Sequence, residues 1–168
     1  CEGETFASDA LTVVRNVAES CGFSYIIEEL SFGPYLKQIN NDAAEGLIGW
    51  LYRVNDVSPS VGAADYSVQT GDTVLWYYGD FAWTPLRLSL SDTEIGEGET
   101  QTTASVEVFV DNSWAVLENA SVVVGDTTYT TNASGEATVS PQNGVYRVVA
   151  KKDGHIRSNS VLLTVGER

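Results

Sequence analysis

The chain has 168 residues with 23 acidic and nine basic side chains, giving a formal net charge of −14 at pH 7. Its hydrophobic content of 43% and aromatic content of 10% are enough for a buried core, in one ordinary domain or two small ones, which excludes wholesale disorder. Because a surface this acidic repels phosphate backbones and anionic lipid, nucleic acid is not an expected partner. No apolar run approaches the roughly 20 residues that a membrane-spanning helix needs.

Composition points to an exported protein. The sequence begins with Cys1 and contains no Met, whereas an intracellular chain written from its own start would begin with Met. We therefore expect a processed form or a fragment. Asn-x-Ser motifs at Asn119 and Asn132 predict two glycosylation sites. The expected location is extracellular or at the cell surface.

Two cysteines, Cys1 and Cys21, allow three interpretations. In an exported chain an even count favours a disulfide. An N-terminal Cys could instead carry a lipid, or both thiols could be free. The disulfide ranks first, because a predicted helix starts within about seven residues of Cys1, which leaves too little chain for a flexible lipid tether.

In the first half, residues 8–20 predict one amphipathic helix, with Ser8 as the N-cap and Gly22 as the C-terminal stop. Residues 31–46 read as largely irregular because Pro34 interrupts them. Alternating apolar and aromatic residues predict the strands of this half, at 23–30, 35–39, 49–54 and 73–78.

The second half carries only strand signals. Leucines alternate over residues 86–90, and a polar stretch follows over 91–103. Short strands separated by Gly and Asn turns then come at 105–110, 120–124, 127–131, 135–139, 145–151 and 160–165. This spacing is typical of an antiparallel β-sandwich. The sequence thus predicts a mainly β protein with domains at 1–85 and 86–168.

Three motifs of the first half carry a family resemblance. They are GWLYRVN (49–55), VGAADY (61–66) and QTGDTVLWYY (69–78), and they follow a helix that ends at Cys21. Over about residues 4–80 the chain resembles the transcobalamin-like C-terminal domain of prokaryotic surface proteins. The resemblance implies a β-grasp-like fold, with a sheet curled around one helix, and a domain that in vitamin carriers contacts cobalamin.

The chain departs from this family at its start. Family members have a strand or hairpin before the helix, whereas here the helix begins near Ser8. A sheet that lacks a strand exposes unpaired backbone groups. The chain could be a fragment, the edge could be open, or a neighbouring copy could supply the strand and so build a head-to-tail filament.

The second half resembles the immunoglobulin-like and carboxypeptidase-regulatory-like sandwiches of surface proteins. The matching stretches are NASVVV (119–124), TYTTNASGEATV (128–139) and GVYRVVAKKDG (144–154). Such domains usually act as spacers, and the fold alone names no function.

No catalytic constellation is recognisable. The one histidine, His155, follows a turn and is expected to be an ordinary surface residue. There is no phosphate-binding loop, nucleophile elbow or His/Cys metal pair, and we expect no cofactor. Carboxylates could hold Ca²⁺ in the polar stretch, but their spacing fits no known loop and a solvated surface is preferred, so no metal is predicted. They are Asp92, Glu94, Glu97 and Glu99.

The aromatic residues of strands 49–54 and 73–78 form the remaining candidate site. By alternation Trp50, Tyr52, Trp76 and Tyr78 share one face. If that face is exposed it is a ligand platform or an interface; if it lies beneath the helix it is core, which is the commoner use of aromatic residues.

Two functions are weighed. The first is a non-catalytic extracellular protein, structural or adhesive, that self-associates into a filament by strand donation to the incomplete N-terminal sheet. The alternative is a soluble module that binds cobalamin or another flat small molecule on the aromatic stretch 49–79.

Overall fold

The computed structural model describes residues 1–96 and 100–166. It confirms the mainly β fold class, with one α-helix in the described part of the chain. The chain divides into two compact units, the first spanning Cys1–Phe81 and the second beginning at Ala82. In these described residues, no helix is both long and apolar enough to cross a membrane.

The N-terminal unit consists of one helix and five strands. They are α1 (Ala10–Cys21), β1 (Tyr25–Leu30), β2 (Gly33–Ile39), β3 (Asp42–Ala43), β4 (Gly49–Val54) and β5 (Val74–Gly79). The first three strands form one antiparallel sheet in the order β1-β2-β3, and β4 pairs with β5 in a second sheet. The apolar face of α1 packs on these strands through Leu11 and Val14, which meet Leu36 of β2.

The helix starts one residue later than predicted. Asp9, not Ser8, is the N-cap, because Asp9 has an extended backbone and its Oδ1 accepts a hydrogen bond from Thr12 N at 2.8 Å. Ser8 instead donates its hydroxyl to Asp9 Oδ2 at 2.8 Å. Gly22 ends the helix in the left-handed conformation, with φ of 69°, as predicted.

The expectation that Pro34 keeps its surroundings irregular is wrong. Pro34 lies within β2 and pairs with Glu29 of β1. The other edge of β2 pairs with β3 only at Gln38 and Ile39. Proline is therefore tolerated here, since it occupies a part of the strand where one edge has no partner strand among the described residues.

The second unit contains two antiparallel-rich sheets around an apolar core. Its strands are β6 (Thr84–Leu90), β7 (Glu94–Ile95), β8 (Thr102–Val110), β9 (Ser113–Val116), β10 (Ser121–Val124), β11 (Thr127–Thr130), β12 (Glu136–Val139), β13 (Gly144–Lys151), β14 (His155–Ile156) and β15 (Ser160–Val165). One sheet has the order β12-β8-β6-β14, with β9 also paired with β8, and the other has the order β11-β10-β13-β15-β7. Alternate residues of both sheets, such as Val106 and Leu163, are fully buried between them.

Three short strands of this unit, β7, β9 and β14, were not predicted. Two of them are two-residue parallel pairings, β7 on β15 and β14 on β6, which leave no alternation to detect. The pairing with β14 also explains why β6 begins at Thr84, ahead of the expected domain start at residue 86. Pro85 does not interrupt β6, because β8 pairs with β6 only from Leu86 onward.

Candidate functional site

The aromatic residues of β4 and β5 form two stacked cross-strand pairs. Trp50 lies opposite Tyr78, with ring centroids 5.6 Å apart, and Tyr52 lies opposite Trp76, with ring centroids 5.3 Å apart. The structure therefore brings the four predicted site residues together on one face of the hairpin.

This aromatic face lies beneath the helix. Trp50 and Trp76 are half-buried and pack against the core formed by Leu11, Val14 and Leu36. The Trp76 indole Nε1 donates to the backbone carbonyl of Ala10 at 3.1 Å. Of the two interpretations of the face, the structure favours the one beneath the helix, with both tryptophans packed half-buried against the core.

The polar atoms of the other aromatic rings are also used inside the unit. Trp50 Nε1 donates to Asp42 O at 2.8 Å and Tyr78 Oη donates to Ala43 O at 2.8 Å. These two bonds tie the β4–β5 pair to the short strand β3. Tyr52 Oη donates to Val61 O at 2.6 Å. A ligand that used the N–H or O–H groups of these rings would have to displace bonds within the unit.

The opposite face of the hairpin holds a buried cation and phenol. Arg53 and Tyr77 are only 7% and 6% exposed, and Arg53 Nη1 donates to Asp56 O at 2.8 Å. Burial raises the pKa of Tyr77, and the neighbouring Arg53 opposes this rise without cancelling it. The pKa of Tyr52 is also raised, by burial and then by Tyr66 and Asp65. Both phenols are therefore neutral at neutral pH, and the Tyr52 hydroxyl donates to Val61 O.

The backbone of β5 is paired along one edge. β4 is its partner strand, and nowhere in residues 1–96 and 100–166 does a strand pair with its second edge. Asn55 N donates to Thr73 O at 2.9 Å, whereas Val54 exchanges both its backbone hydrogen bonds with Val57. Val54 therefore points its backbone groups away from β5, which makes the facing pair Val54–Val74 a non-hydrogen-bonded one.

The alternation of an antiparallel ladder then fixes the outward backbone groups of β5. Leu75, Tyr77 and Gly79 direct their N–H and C=O groups to β4, and the alternate residues Val74, Trp76 and Tyr78 direct theirs to the second edge. Such a row of outward groups is a template for an added strand. This is the kind of open edge that the sequence predicted for an incomplete N-terminal sheet.

A groove of about 410 Å³ adjoins the start of β5. It runs between the N-terminal residues Phe6 and Ala7, the helix residue Val13, and residues Val68 and Val74. Its lining mixes apolar side chains with Ser and Thr hydroxyls. The size falls within the range of small-ligand pockets, roughly 300–1,000 Å³, but none of the four aromatic site residues lines it.

A disulfide holds the N-terminal segment beside the helix. Cys1 and Cys21 are bonded, with Cα atoms 5.8 Å apart, which confirms the first of the three cysteine interpretations. Asn16 Nδ2 adds a hydrogen bond to Phe6 O at 2.8 Å, while the Phe6 side chain itself is 97% exposed. Because both sulfurs are in the bridge, neither thiol is available as a nucleophile or as a lipid attachment site.

The two predicted glycosylation sites differ in local structure. Asn119 is exposed, with φ of 57°, in the turn before β10. Asn132 is also exposed, but its Oδ1 accepts hydrogen bonds from Ser134 N at 2.9 Å and Glu136 N at 3.1 Å. Asn132 thus also shapes the turn before β12. Glycosylation at either residue stays a prediction.

The described polar residues considered for catalysis or Ca²⁺ binding make separate local contacts. His155 lies in β14, and its Nδ1 is 2.9 Å from Asp153 O. Asp92 Oδ2 accepts from Ser91 Oγ at 2.9 Å, and Glu94 belongs to β7. Glu97 and Glu99 lie outside the described residues. The described part of the chain holds no group of three potential metal ligands.

Comparison with known proteins gives one match. No curated protein and no solved structure matches the chain. Residues 12–80 match the family described as "Domain of unknown function (DUF4430)". This segment runs from the first turn of α1 to the residue after β5. Over these residues the N-terminal unit is similar to the DUF4430 family, which agrees with a resemblance to transcobalamin-like domains.

Proposed function

We propose that this protein is a non-catalytic structural module of the cell surface that self-associates into a filament. A strand from a neighbouring copy adds to the second edge of β5 and completes the N-terminal sheet. Contact between unlike surfaces of successive copies does not close on itself, so it propagates as a filament. The one observation that carries this proposal is the row of outward backbone groups at Val74, Trp76 and Tyr78.

The length of β5 suits the addition of a strand along its second edge. β5 is six residues long, and strands of five or six residues are typical of stable sheets. A two-stranded sheet is marginal in water by itself, so a third strand adds stability as well as contact. The groove beside Val74 leaves room next to the start of this edge.

An extracellular setting is consistent with the covalent chemistry. Disulfides persist in oxidising compartments, and here one links Cys1 to Cys21. A surface with net charge −14 keeps free subunits apart at low ionic strength, because like charges repel. Assembly then requires salt or a specific contact that overcomes the repulsion.

The alternative, a cobalamin or other flat ligand on residues 49–79, has less support. The rings it would use face the helix and donate their polar hydrogens to backbone carbonyls within the unit. We therefore propose assembly and not ligand binding as the function.

Sedimentation velocity and negative-stain electron microscopy test the proposal. At about 0.15 M salt the wild-type chain should form larger species as its concentration rises from micromolar to several hundred micromolar, and filaments at the upper end. The variant Val74→Pro removes one outward N–H at the first residue of β5, where proline is tolerated, and should weaken assembly. Val74→Thr retains the N–H and serves as the control. A wild-type chain that remains monomeric throughout contradicts the proposal.

A further inference from the structure

The charge of this protein is distributed unevenly between its two units. Residues 1–81 carry 12 acidic and three basic side chains, a net charge of −9. In contrast, the short segment 147–157 holds four of the nine basic residues and a single acid, Asp153. An acidic protein therefore presents one locally basic region, and it lies in the C-terminal unit.

The basic side chains of this segment lie along the outer face of a sheet that also carries two exposed apolar side chains. Arg147 and Lys151 alternate on β13 with the buried Val148 and Ala150, and Arg147 lies opposite Leu162 of β15. Leu162 is 58% exposed, and Val145 on the same face is 66% exposed. Exposed Arg157 flanks this face, because Ser158 N bonds to Ala150 O and brings residue 157 back beside Lys151.

We call this surface the basic face and define it by Val145, Arg147, Lys151, Arg157 and Leu162. Exposed apolar side chains next to an arginine are common in protein–protein contacts. Surface hydrophobic residues scattered singly carry no such meaning, but here the apolar pair and the cations share one sheet face.

Within residues 1–96 and 100–166, no ion pair joins a cation of the basic face to a carboxylate. Arg147 Nη1 donates to Ser160 Oγ at 2.7 Å, and the adjacent Lys152 Nζ donates to Glu118 O, a neutral carbonyl, at 2.6 Å. Among the residues that the structure describes, the ion pairs are Lys37–Glu28 and Arg87–Glu107, both elsewhere. The positive potential of the basic face is thus available to an external anion.

We propose that the basic face docks on the acidic N-terminal unit of a second copy. This inference rests on the self-association proposed above and names its second contact surface. Two copies that each carry −14 repel in most orientations, and an approach of the basic face to a unit of net charge −9 replaces repulsion by attraction. The contact joins unlike surfaces, as a head-to-tail filament requires.

Charge reversal on the full-length chain tests the inference. The double variant Lys151→Glu/Arg157→Glu should raise the dissociation constant of self-association by about tenfold or more at 0.15 M salt. This is the effect expected when two close contacts between opposite charges become contacts between like charges. The difference from wild type should shrink in about 1 M salt, where charges are screened beyond roughly 3 Å. Arg15→Glu, on the exposed side of α1, changes the charge by the same amount per site but makes the proposed partner unit more acidic, so it should not raise this dissociation constant.

Zero-length carbodiimide cross-linking identifies the partner surface. In an equal mixture of unlabelled and ¹⁵N-labelled chains, Lys151 and Lys152 should form amide links to carboxylates of residues 1–81 in the other isotopic form. Links confined to one chain, or to carboxylates of the C-terminal unit, overturn the inference. The inference is also overturned if the wild-type monomer binds a sulfated polysaccharide and the double variant does not. The occupant of the basic face is then a polyanion and not a second copy.

The outcomes for the two proposals are distinguishable. If wild type and the double variant assemble equally well, the docking of the basic face is wrong while assembly through β5 survives. If the wild-type chain never assembles, the proposed function itself fails.

Discussion

The indole N–H of Trp76 in β5 donates to the backbone carbonyl of Ala10 in the first turn of α1, at 3.1 Å. The two residues are 66 positions apart in the chain. This bond places the aromatic side chains of β5 against the helix. The proposed assembly edge consists instead of backbone groups of the same strand. The tryptophans of the most aromatic stretch thus pack half-buried against the core of the N-terminal unit.

Shortening Trp76 should therefore destabilise the N-terminal unit. We expect Trp76→Ala to cost about 3 kcal/mol in the free energy of unfolding, at the low end for a buried aromatic ring. Trp76→Phe retains a ring but loses the bond to Ala10, and should cost about 1 kcal/mol. Urea unfolding, monitored by hydrogen exchange of the α1 amides, measures the loss of stability in both variants. Equal stability of the alanine variant and wild type would contradict the placement of Trp76 in the core.

Reduction of the Cys1–Cys21 bond should loosen the N-terminal segment. The bridge closes a loop with a sequence separation of 20, and the chain-entropy model predicts about 3 kcal/mol of stabilisation for such a loop. We expect reduced wild type and Cys1→Ser to unfold at similarly lowered urea concentrations. Unfolding of the C-terminal unit should not change, and a loss confined to that unit would count against this assignment.

Asp9 should make the helix sensitive to acid. Burial alone would raise the pKa of Asp9, but hydrogen bonds from Thr12 and Ser8 outweigh it and hold the pKa below its ordinary value. A lowered folded-state pKa gives stability that is present above the unfolded-state pKa of about 4 and is lost as the pH falls through the folded-state value.

At pH 7 we expect Asp9→Ala to cost about 1 kcal/mol, the usual value of an N-cap. The difference between this variant and wild type should shrink as the pH falls below about 4, and it should be lost once the pH is below the lowered pKa of Asp9 in the folded protein. Asp9→Asn is the control, because asparagine caps the helix but does not titrate. The free energy of unfolding of this variant should depend less on pH than that of the wild type. A constant alanine penalty down to pH 2 would show that the charge of Asp9 is irrelevant.

Two glycines of the second unit form a matched pair. Gly135 and Gly154 both have φ of 74°, so a side chain at either position strains the backbone. A Cβ on Gly135 would also lie 2.8 Å from Val106 O and 3.0 Å from Leu117 N, whereas one on Gly154 would meet nothing within 4 Å. We expect Gly154→Ala to cost about 1 kcal/mol and Gly135→Ala clearly more, by thermal unfolding. Equal costs would mean that the packing around Gly135 yields easily.

Long, regular elements were predictable from the sequence, and elements defined by tertiary pairing were not. β4 and β15 occur over the predicted residues, because each has a strong strand pattern between turn residues. The strand through Pro34 was missed, since its tolerance depends on which edge of β2 has a partner. The parallel pairings of β7 and β14 involve two residues each and have no periodic signal.

The sequence predicted which aromatic residues share a face of the sheet. It did not predict whether that face packs against the helix or faces solvent. Strand alternation groups Trp50 with Tyr52, but the opposite face offers Leu51, which is apolar as well. The deciding contacts come from α1 and β3, through bonds to the carbonyls of Ala10 and Asp42. Backbone carbonyls carry no sequence signature, so this information exists only in the fold.

Residue-resolved amide hydrogen exchange, measured by NMR as a function of protein concentration, tests the central claim most directly. In dilute monomer the outward amides of Val74, Trp76 and Tyr78 should exchange fast, and those of Leu75 and Tyr77, which bond to β4, should exchange slowly. On assembly the outward amides should become protected, while the inward ones change little. Assembly that leaves Val74, Trp76 and Tyr78 unprotected, or outward amides that are already protected in the monomer, would contradict strand addition at β5.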